Sequence, residues 1–268
     1  MKYVVPVLLA LVAIAVAGSL AWLFLASSFR GGGGGGGGDV VAERRTLPPF
    51  TRIVIEGLAE VTLVQGDTEA ATVEAPARHL PSVRTEVAEG TLTIAGDRSR
   101  RWWSGIFGGG GRPVRVTVAC RELDGISATG AVKLRADRLK TDRLKVAASG
   151  ATSVRITALD TKELSVTGSG AMKAELAGRA GEQRVAISGA GDYRGAELVS
   201  GAAVVTVSGA GRAVVQAERT LDIRISGAGS VEYLGNPKVT QRISGAGSVK
   251  RRDAADAQPR VALDAAAR

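Results

Sequence analysis

Side chains that commonly carry out chemistry are scarce in this chain of 268 residues. It has one histidine, His79 in the segment ARHLP, and one cysteine, Cys120 in the segment RVTVAC. A single cysteine excludes an internal disulfide and a cysteine metal cluster. We find neither residues spaced as metal ligands nor a Ser-His-Asp set. We interpret His79 as a loop residue and Cys120, on an alternating apolar run, as a buried, inert thiol.

A second group of side chains suits binding instead of catalysis. The segment DRSRRWWSGIFGGGGRP, residues 97–113, combines tryptophan and arginine with a glycine-rich stretch. Tryptophan and arginine dominate binding surfaces, so we predict a docking tip for a membrane surface, a glycan or a partner protein. The alternative is that the tryptophans fold over one end or flank of the domain as a lid. The candidate contact residues are Trp102, Trp103, Ile106, Phe107, Arg98, Arg100 and Arg101.

A short phrase, a Ser or Thr followed by Gly-Ala, recurs at a nearly fixed interval. Its seven glycines, separated by 20, 20, 19, 20, 18 and 18 residues, are Gly130, Gly150, Gly170, Gly189, Gly209, Gly227 and Gly245. A phosphate-binding loop would need the pattern Gly-x-x-x-x-Gly-Lys-Ser/Thr and a following helix, and the repeats provide neither. A period near twenty residues is instead typical of a repeat architecture.

The repeats predict strands joined by sharp corners. Apolar and β-branched residues alternate with polar ones before the glycine, as in the segment LDIRISG. In a β-solenoid successive coils lie about 4.8 Å apart, so equivalent positions stack. Glycine permits the positive φ of a corner, and we expect the alanine after it to face inward. The predicted fold is all-β: a single-stranded β-solenoid, similar to a parallel β-helix, with about seven Ser-Gly-Ala-cornered coils after an N-terminal transmembrane helix.

The segments around the repeats are predicted to close the ends of the solenoid. The segment FTRIVIEGLAEVTLVQGD alternates as strands do, and Arg84–Asp97 has the pattern of a hairpin. Both continue or cap the coils, because an open end would expose a strand edge. Gln241 and the charged Lys250–Asp253 indicate a terminal coil. The predicted domains are residues 1–30 (transmembrane anchor or signal sequence), 31–45 (glycine-rich linker), 46–251 (β-solenoid) and 252–268 (flexible tail).

The amino terminus carries a long apolar segment. Residues 3–29 contain no charged side chain, and as a helix they would reach roughly 40 Å, enough for a hydrocarbon core of about 30 Å. A cleaved signal peptide is the alternative, with a small-residue site at Ala15–Gly18. Eight glycines, residues 31–38, then form a flexible tether. We expect a single-pass membrane protein, or a secreted protein if the segment is cleaved.

Charge bears on orientation and on partners. Lys2 precedes the apolar segment and Arg30 follows it, so the basic residues do not place the amino terminus in the cytoplasm. Long domains translocate largely regardless of charge, and we expect the solenoid outside the cytoplasm, in the periplasm or outside the cell. The net charge of +9 favours an anionic glycan, a lipid head group or an envelope protein as partner; a solvated basic surface is the alternative. Aromatic residues, at 4%, are too few for nucleic-acid stacking platforms.

An enzyme on this fold would need paired carboxylates on neighbouring coils. Aligned repeats place Asp192 in a column of mixed residues, namely Lys133, Arg212, Ser230 and Ser248. Glu232 and Asp222 are isolated in their columns. We therefore predict no catalytic residue, no metal, no cofactor and no enzymatic activity.

The sequence resembles the bacterial family named the putative auto-transporter adhesin head GIN domain. The resemblance lies in the Ser-Gly-Ala-Gly columns, the segments FTRIVIEGLAEVTLVQGD and TEVAEGTLTI, and the ending ISGAGSVEYLGNPKVTQRISGAGSVKR, and covers roughly residues 46–251. It implies an envelope-associated β-helical domain without a known catalytic residue set. The long apolar start and the glycine tether depart from a simple secreted member.

These observations favour a non-enzymatic, membrane-tethered, adhesin-like binding module of the cell envelope. In this hypothesis the solenoid is a rigid post, and either the tryptophan segment or a coil face contacts the partner. A structural or self-associating envelope protein is the first alternative, because open solenoid ends can stack. A polysaccharide-active β-helix enzyme is the second.

Overall fold

The structure, a computed structural model, describes residues 40–77, 79–96 and 114–253. These residues form fourteen β-strands and one short 3-10 helix, Leu80–Ser82. The strands are β1 (Val40–Thr46), β2 (Arg52–Gln65), β3 (Ala70–Pro76), β4 (Arg84–Ala88), β5 (Thr91–Ala95), β6 (Val114–Cys120), β7 (Gly125–Gly150), β8 (Ser153–Gly170), β9 (Lys173–Gly189), β10 (Asp192–Gly209), β11 (Arg212–Gly227), β12 (Ser230–Leu234), β13 (Lys238–Ser244) and β14 (Ser248–Arg251).

The predicted membrane segment, residues 3–29, lies outside the described residues. Among the residues that are described, no helix is long and apolar enough to cross a membrane. Strand β1 lies partly within the predicted linker, and it pairs antiparallel with β3. Arg45 fixes this strand, since its guanidinium donates to the Val83 carbonyl oxygen at 2.7 Å and to Thr85 Oγ1 at 3.0 Å.

Strands β7 to β11 form a parallel β-solenoid, as the sequence predicts. Each is 16 to 26 residues long, passes through corners without leaving the sheet, and pairs in parallel with the next. The corner glycines lie opposite one another in this register, for example Gly170 opposite Gly189. The solenoid has about six turns instead of the predicted seven, because the seven corners from Gly130 to Gly245 enclose six intervals.

Side chains from equivalent positions fill the interior of the coils. Branched apolar residues four positions before the corner glycine stack on one another and are buried: Ile126, Val146, Val166, Val185, Val205 and Ile223. The column ends at Gln241, which is exposed on the last coil. Burial of this continuous apolar stack is the main stabilising force, because single coils cannot bury their inner face alone.

The corner glycines have the backbone that the sequence predicts, but the alanines after them do not face inward. Gly189 has φ +109°, and a Cβ there would lie 3.0 Å from the carbonyl oxygen of Gly170 on the preceding coil. Ala190, like most of the alanine column, is exposed. The prediction of inward alanines is wrong because side chains alternate along the strand, so the residue two positions after the glycine points inward instead.

The two inward positions that flank each corner have complementary sizes. At the corners of Gly130, Gly150 and Gly170 the inward residue before the glycine is smaller than the one after it, as in the pair Gly168 and Met172. A Cβ on Gly168 would lie 2.6 Å from Met172 Sδ. In later coils the order reverses: Ile187 precedes the corner and Gly191 follows it, and a Cβ on Gly191 would lie 2.7 Å from Ile187 Cγ2. At each of these two corners, one large side chain therefore fills the interior.

The amino-terminal strands close one end of the solenoid. β2 stacks in parallel on β7 and places Gly57 opposite Gly130, so it forms a first corner that the Ser-Gly-Ala pattern missed. On its other side β2 pairs with β5 and β6, and β3 and β1 continue the sheet antiparallel. β4 and β5 form the predicted hairpin. The predicted capping of this end is confirmed.

Candidate functional site

The predicted docking residues lie outside the described part of the chain. They belong to the segment of residues 97–113, which connects β5 to β6. Both strands pair with β2. The residues concerned are Trp102, Trp103, Ile106, Phe107, Arg98, Arg100 and Arg101. Their docking role remains a prediction.

A groove of about 500 Å³ opens on the outer surface near the other end of the solenoid. It crosses β10, β11 and β12 and reaches β14 and the residue after it. Residues that lie side by side in the parallel register form most of its lining, as Val214, Glu232 and Lys250 do. The lining residues are Asp192, Arg194, Ala196, Arg212, Val214, Glu232, Lys250 and Arg252.

An irregularity in β10 shapes the groove. The register between β10 and β11 shifts between Gly195 and Val199, so the three residues between them, 196–198, face no partner on β11. Val214 occupies a position where neighbouring coils carry charged side chains, yet it is only 7% exposed. The groove therefore has a small apolar floor, Val214 with Ala196, and charged walls.

Ion pairs hold two of the groove's arginines. Arg194 donates to Asp192 Oδ2 at 2.9 Å and to Glu175 Oε1 at 3.3 Å. Lys173 Nζ lies 3.0 Å from the same Glu175 oxygen, and its hydrogen bond lowers the pKa of Glu175 further than partial burial raises it. Arg252 Nη1 lies 3.7 Å from Glu232 Oε2. These ion pairs limit the movement of both guanidinium groups at the edge of the groove.

Two further cations in the groove have no such contacts. Arg212 and Lys250 are exposed, and within the described residues their side chains form no hydrogen bond or ion pair. The lining contains four basic residues and two acidic ones, a net charge of +2. The arrangement can therefore bind an anion. Its two carboxylates, Asp192 and Glu232, each pair with an arginine.

Tyr193 and its neighbours form a polar cluster inside the coils. The Tyr193 hydroxyl donates to Gln183 Oε1 at 3.0 Å, and Gln183 Nε2 donates to Ser200 Oγ at 2.7 Å. Ser200 Oγ in turn donates to the Gln216 carbonyl oxygen at 2.7 Å. Complete burial raises the pKa of Tyr193. Because all three side chains are buried, we interpret the cluster as structural.

Cys120 and His79, the two residues considered for chemistry, do not line the groove. Cys120 is buried, and burial together with the nearby Glu69 raises the pKa of its thiol to about 11. It is therefore protonated at neutral pH, as expected for an inert thiol. His79 lies at the start of the 3-10 helix, where its backbone N–H donates to the Pro76 carbonyl oxygen at 2.7 Å. Among the described residues no three His, Cys, Asp or Glu side chains are grouped so that they could hold a metal ion.

Sequence reasoning considered Asp192, Arg212 and Glu232 but did not recognise the groove. In the aligned repeats, no acidic residue stands at the position of Asp192 or of Glu232 on the neighbouring coils, and basic or apolar residues stand there instead. The available signal was different: between β7 and β14, Val214 interrupts a column whose other members are charged, namely Arg135, Arg155, Glu175, Arg194, Glu232 and Lys250. An apolar side chain at an outward position, among charged residues on the neighbouring coils, indicates that this position is shielded from solvent.

The family model described as "Putative auto-transporter adhesin, head GIN domain" matches residues 49–237. This is more than half of the chain, so the chain belongs to that family, and the predicted resemblance is confirmed. No curated protein matches the chain.

Several solved structures of bacterial proteins have a similar fold. A putative adhesin from Bacteroides fragilis has 22% identity and a TM-score of 0.73, and the match covers 80% of this chain and 97% of that one. A putative lipid binding protein from Parabacteroides distasonis has 17% identity and a TM-score of 0.64, with the same coverage. A putative adhesin from Parabacteroides merdae has 20% identity, a TM-score of 0.56 and again the same coverage. At these identities the likeness shows the fold alone.

Proposed function

We propose that this protein is a non-enzymatic, adhesin-like binding module of the bacterial cell envelope, tethered to the membrane through residues 3–29. The observation that carries the proposal is the stack of about six coils, whose outer face bears a groove with two cations, Arg212 and Lys250, that pair with no described residue. Such a stack holds its surface side chains at fixed intervals along its axis, which suits an extended or repetitive partner. Family membership supports the same class of function.

The proposed location rests on the chain's amino terminus and on its family. The apolar segment is long enough to span a bilayer, and the eight glycines after it would separate the solenoid from the membrane. In this proposal the solenoid lies outside the cytoplasm, in the periplasm or at the cell surface. Fractionation of cells that express the full chain tests the anchor: the protein should resist an alkaline carbonate wash of the membranes. Release by that wash, with residues 1–30 still present, would contradict it.

Adhesion is tested with cells that express the full chain and cells that carry an empty vector. The two are compared for retention on wells coated with polygalacturonate, dextran sulfate, neutral dextran, or vesicles of phosphatidylglycerol and phosphatidylcholine. We expect greater retention of the expressing cells on at least one acidic coating. Equal retention on every coating would contradict the adhesin-like function. The vesicle wells also test a lipid ligand, which the name of the Parabacteroides distasonis structure attributes to that protein.

Self-association is a second candidate, favoured by the carboxy-terminal end of the solenoid. Ile243 on the last coil is 42% exposed, and the neighbouring Val239 and Val249 are half-buried. Lys238 and Arg242 on the same strand oppose end-to-end pairing, as charged residues do on strand edges. Light scattering of the detergent-solubilised full chain distinguishes the cases. A mass that rises with protein concentration supports self-association, and a constant monomer mass contradicts it.

A further inference from the structure

We propose that the groove lined by Arg194, Arg212, Lys250 and Arg252 is the site where this module binds the carboxylate or sulfate groups of an acidic polysaccharide. The inference rests on the proposed binding function and deepens it, because it names the contact surface and the ligand chemistry.

Two basic residues of the groove, Arg212 and Lys250, are available to bind an anion. Some charged groups between the coils are paired, as Arg143 is with Glu163 at 3.0 Å. Arg212 and Lys250 have none within the described residues, although acidic side chains line the same groove. A charge-assisted hydrogen bond to a ligand carboxylate or sulfate would therefore form without breaking an ion pair of the protein.

The other two arginines of the groove are held in place. Asp192 and Glu175 restrict Arg194, and Glu232 restricts Arg252. An arginine that is already ordered loses less side-chain entropy on binding an anion. A planar guanidinium also matches a carboxylate or sulfate with two parallel hydrogen bonds. The site thus combines two positioned cations with two available ones.

The shape of the groove favours a chain molecule. Its lining comes from four successive coils, so its length along the solenoid axis is roughly 14 Å at about 4.8 Å per coil. The floor of Val214 and Ala196 is narrow and apolar, which suits the less polar faces of sugar rings. An extended acidic glycan can place one charged group near Arg212 and a later one near Lys250.

Membranes and nucleic acids fit the groove less well. Within the described residues, the large hydrophobic side chains that are exposed are Val40, Val64 and Ile243, and none of them lines the groove. The site therefore offers no apolar side chain for insertion into a bilayer. Its lining also contains no aromatic residue on which bases could stack.

The test uses the detergent-solubilised full chain and measures its affinity for polygalacturonate and for dextran sulfate. The groove variant is Arg212→Ala with Lys250→Ala. The matched control is Arg135→Ala with Arg138→Ala, which removes the same charge from two exposed arginines that have no hydrogen-bond or ion-pair partner within the described residues. Thermal unfolding checks that both variants remain folded. Neutral dextran and phosphatidylglycerol vesicles serve as comparison ligands.

We expect the groove variant to bind one or both polyanions at least about tenfold more weakly, since each lost charge-assisted contact costs on the order of 1 kcal/mol or more. The control should change affinity by less than about twofold. Equal losses in both variants would show general attraction to a basic surface and overturn the proposal. So would unchanged binding by the groove variant, or a groove-dependent affinity for vesicles alone.

The two levels of the proposal fail separately. If expressing cells adhere to an acidic coating but the groove variant adheres equally well, the groove is wrong and the adhesin-like function stands. If the purified protein binds polygalacturonate through the groove but cells show no adhesion, the groove stands and the adhesin-like function is wrong.

Discussion

Tyr193 lies inside the coils with none of its surface exposed. Its neighbours in register on the adjacent strands are Ala174 and Ala213, which leave room for the ring. A Cβ on Gly195 would lie 2.7 Å from Tyr193 Cε1, so the glycine is also required. A buried hydroxyl without a partner would be destabilising, and the bond to Gln183 satisfies it.

The substitution Tyr193→Phe should lower the free energy of unfolding by about 1–3 kcal/mol, because it leaves the buried Gln183 oxygen without its donor. Tyr233→Phe is the matched control, since that hydroxyl forms no hydrogen bond within the described residues, and it should change stability by less than about 0.5 kcal/mol. Urea denaturation followed by circular dichroism measures both. Equal effects would show that the buried hydrogen bond contributes nothing specific.

The complementary corner residues predict a compensating pair of substitutions. Gly168→Ile should clash with Met172, and Met172→Gly should leave a cavity, each costing on the order of 1–5 kcal/mol. The double variant copies the later corner formed by Ile187 and Gly191. It should recover about 0.5–3 kcal/mol relative to the sum of the single changes. Additive losses in urea denaturation would contradict complementary packing.

At the scale of the strand, cross-coil ion pairs align neighbouring elements. Glu60 on β2 accepts from Lys133 on β7 at 3.2 Å and from Arg115 on β6 at 3.3 Å, so it joins the strands on either side. Partial burial raises the pKa of Glu60, but these two cations outweigh burial and hold it below the ordinary value of 4.5. Glu175 on β9 has a lowered pKa for a similar reason, with Lys173 as the main cause.

These lowered pKa values predict how stability responds to acid. A carboxyl whose pKa is lower in the folded state binds more protons when unfolded, so its contribution is present above pH of about 4.5 and is lost as the pH falls through the folded-state value. The unfolding temperature should therefore fall below about pH 4.5. In Glu60→Gln with Glu175→Gln this fall should be smaller. The control Glu122→Gln with Glu218→Gln, two exposed residues without an ion-pair partner among those described, should keep the wild-type slope in thermal scans.

At the scale of the whole molecule, the apolar stack and the surface charge have separate roles. The stack of buried residues runs from β2 to β12, and it contributes far more to stability than exposed ion pairs do. Lys162 and Asp142, for example, lie 2.9 Å apart with side chains 76% and 82% exposed. Net charge acts instead on association with charged partners.

Added salt should therefore weaken binding to a charged partner while it leaves the stability of the fold nearly unchanged. Raising NaCl from about 0.05 M to about 0.5 M shortens the screening length severalfold. We expect affinity for polygalacturonate to fall by about tenfold or more, while the unfolding temperature changes by only a few degrees. Calorimetry and a binding titration on the same samples measure both. A large loss of stability in salt would show that ion pairs, and not the apolar stack, hold the coils together.

The sequence predicted the repeat, the strands, the glycine corners and the β4–β5 hairpin, because each depends on local alternation and on glycine spacing. It misplaced the corner alanines, although alternation carried through the corner would have placed Ala190 outward. Gly57 was missed because Leu58 follows it instead of alanine, and because 73 residues separate it from Gly130. The pairing of Gly57 with Gly130 is therefore visible only in the strand register of the structure.

The sequence by itself determined that the chain winds into stacked coils. A repeated pattern of apolar residues and corner glycines buries its inward side chains when successive coils stack on one another. Tertiary structure alone decided where a partner could bind. The groove requires the bulge in β10 and the alignment of Val214, Glu232 and Lys250 across three strands. The repeat spacing already aligns these three residues, but it does not show the bulge, which leaves residues 196–198 without partners on β11.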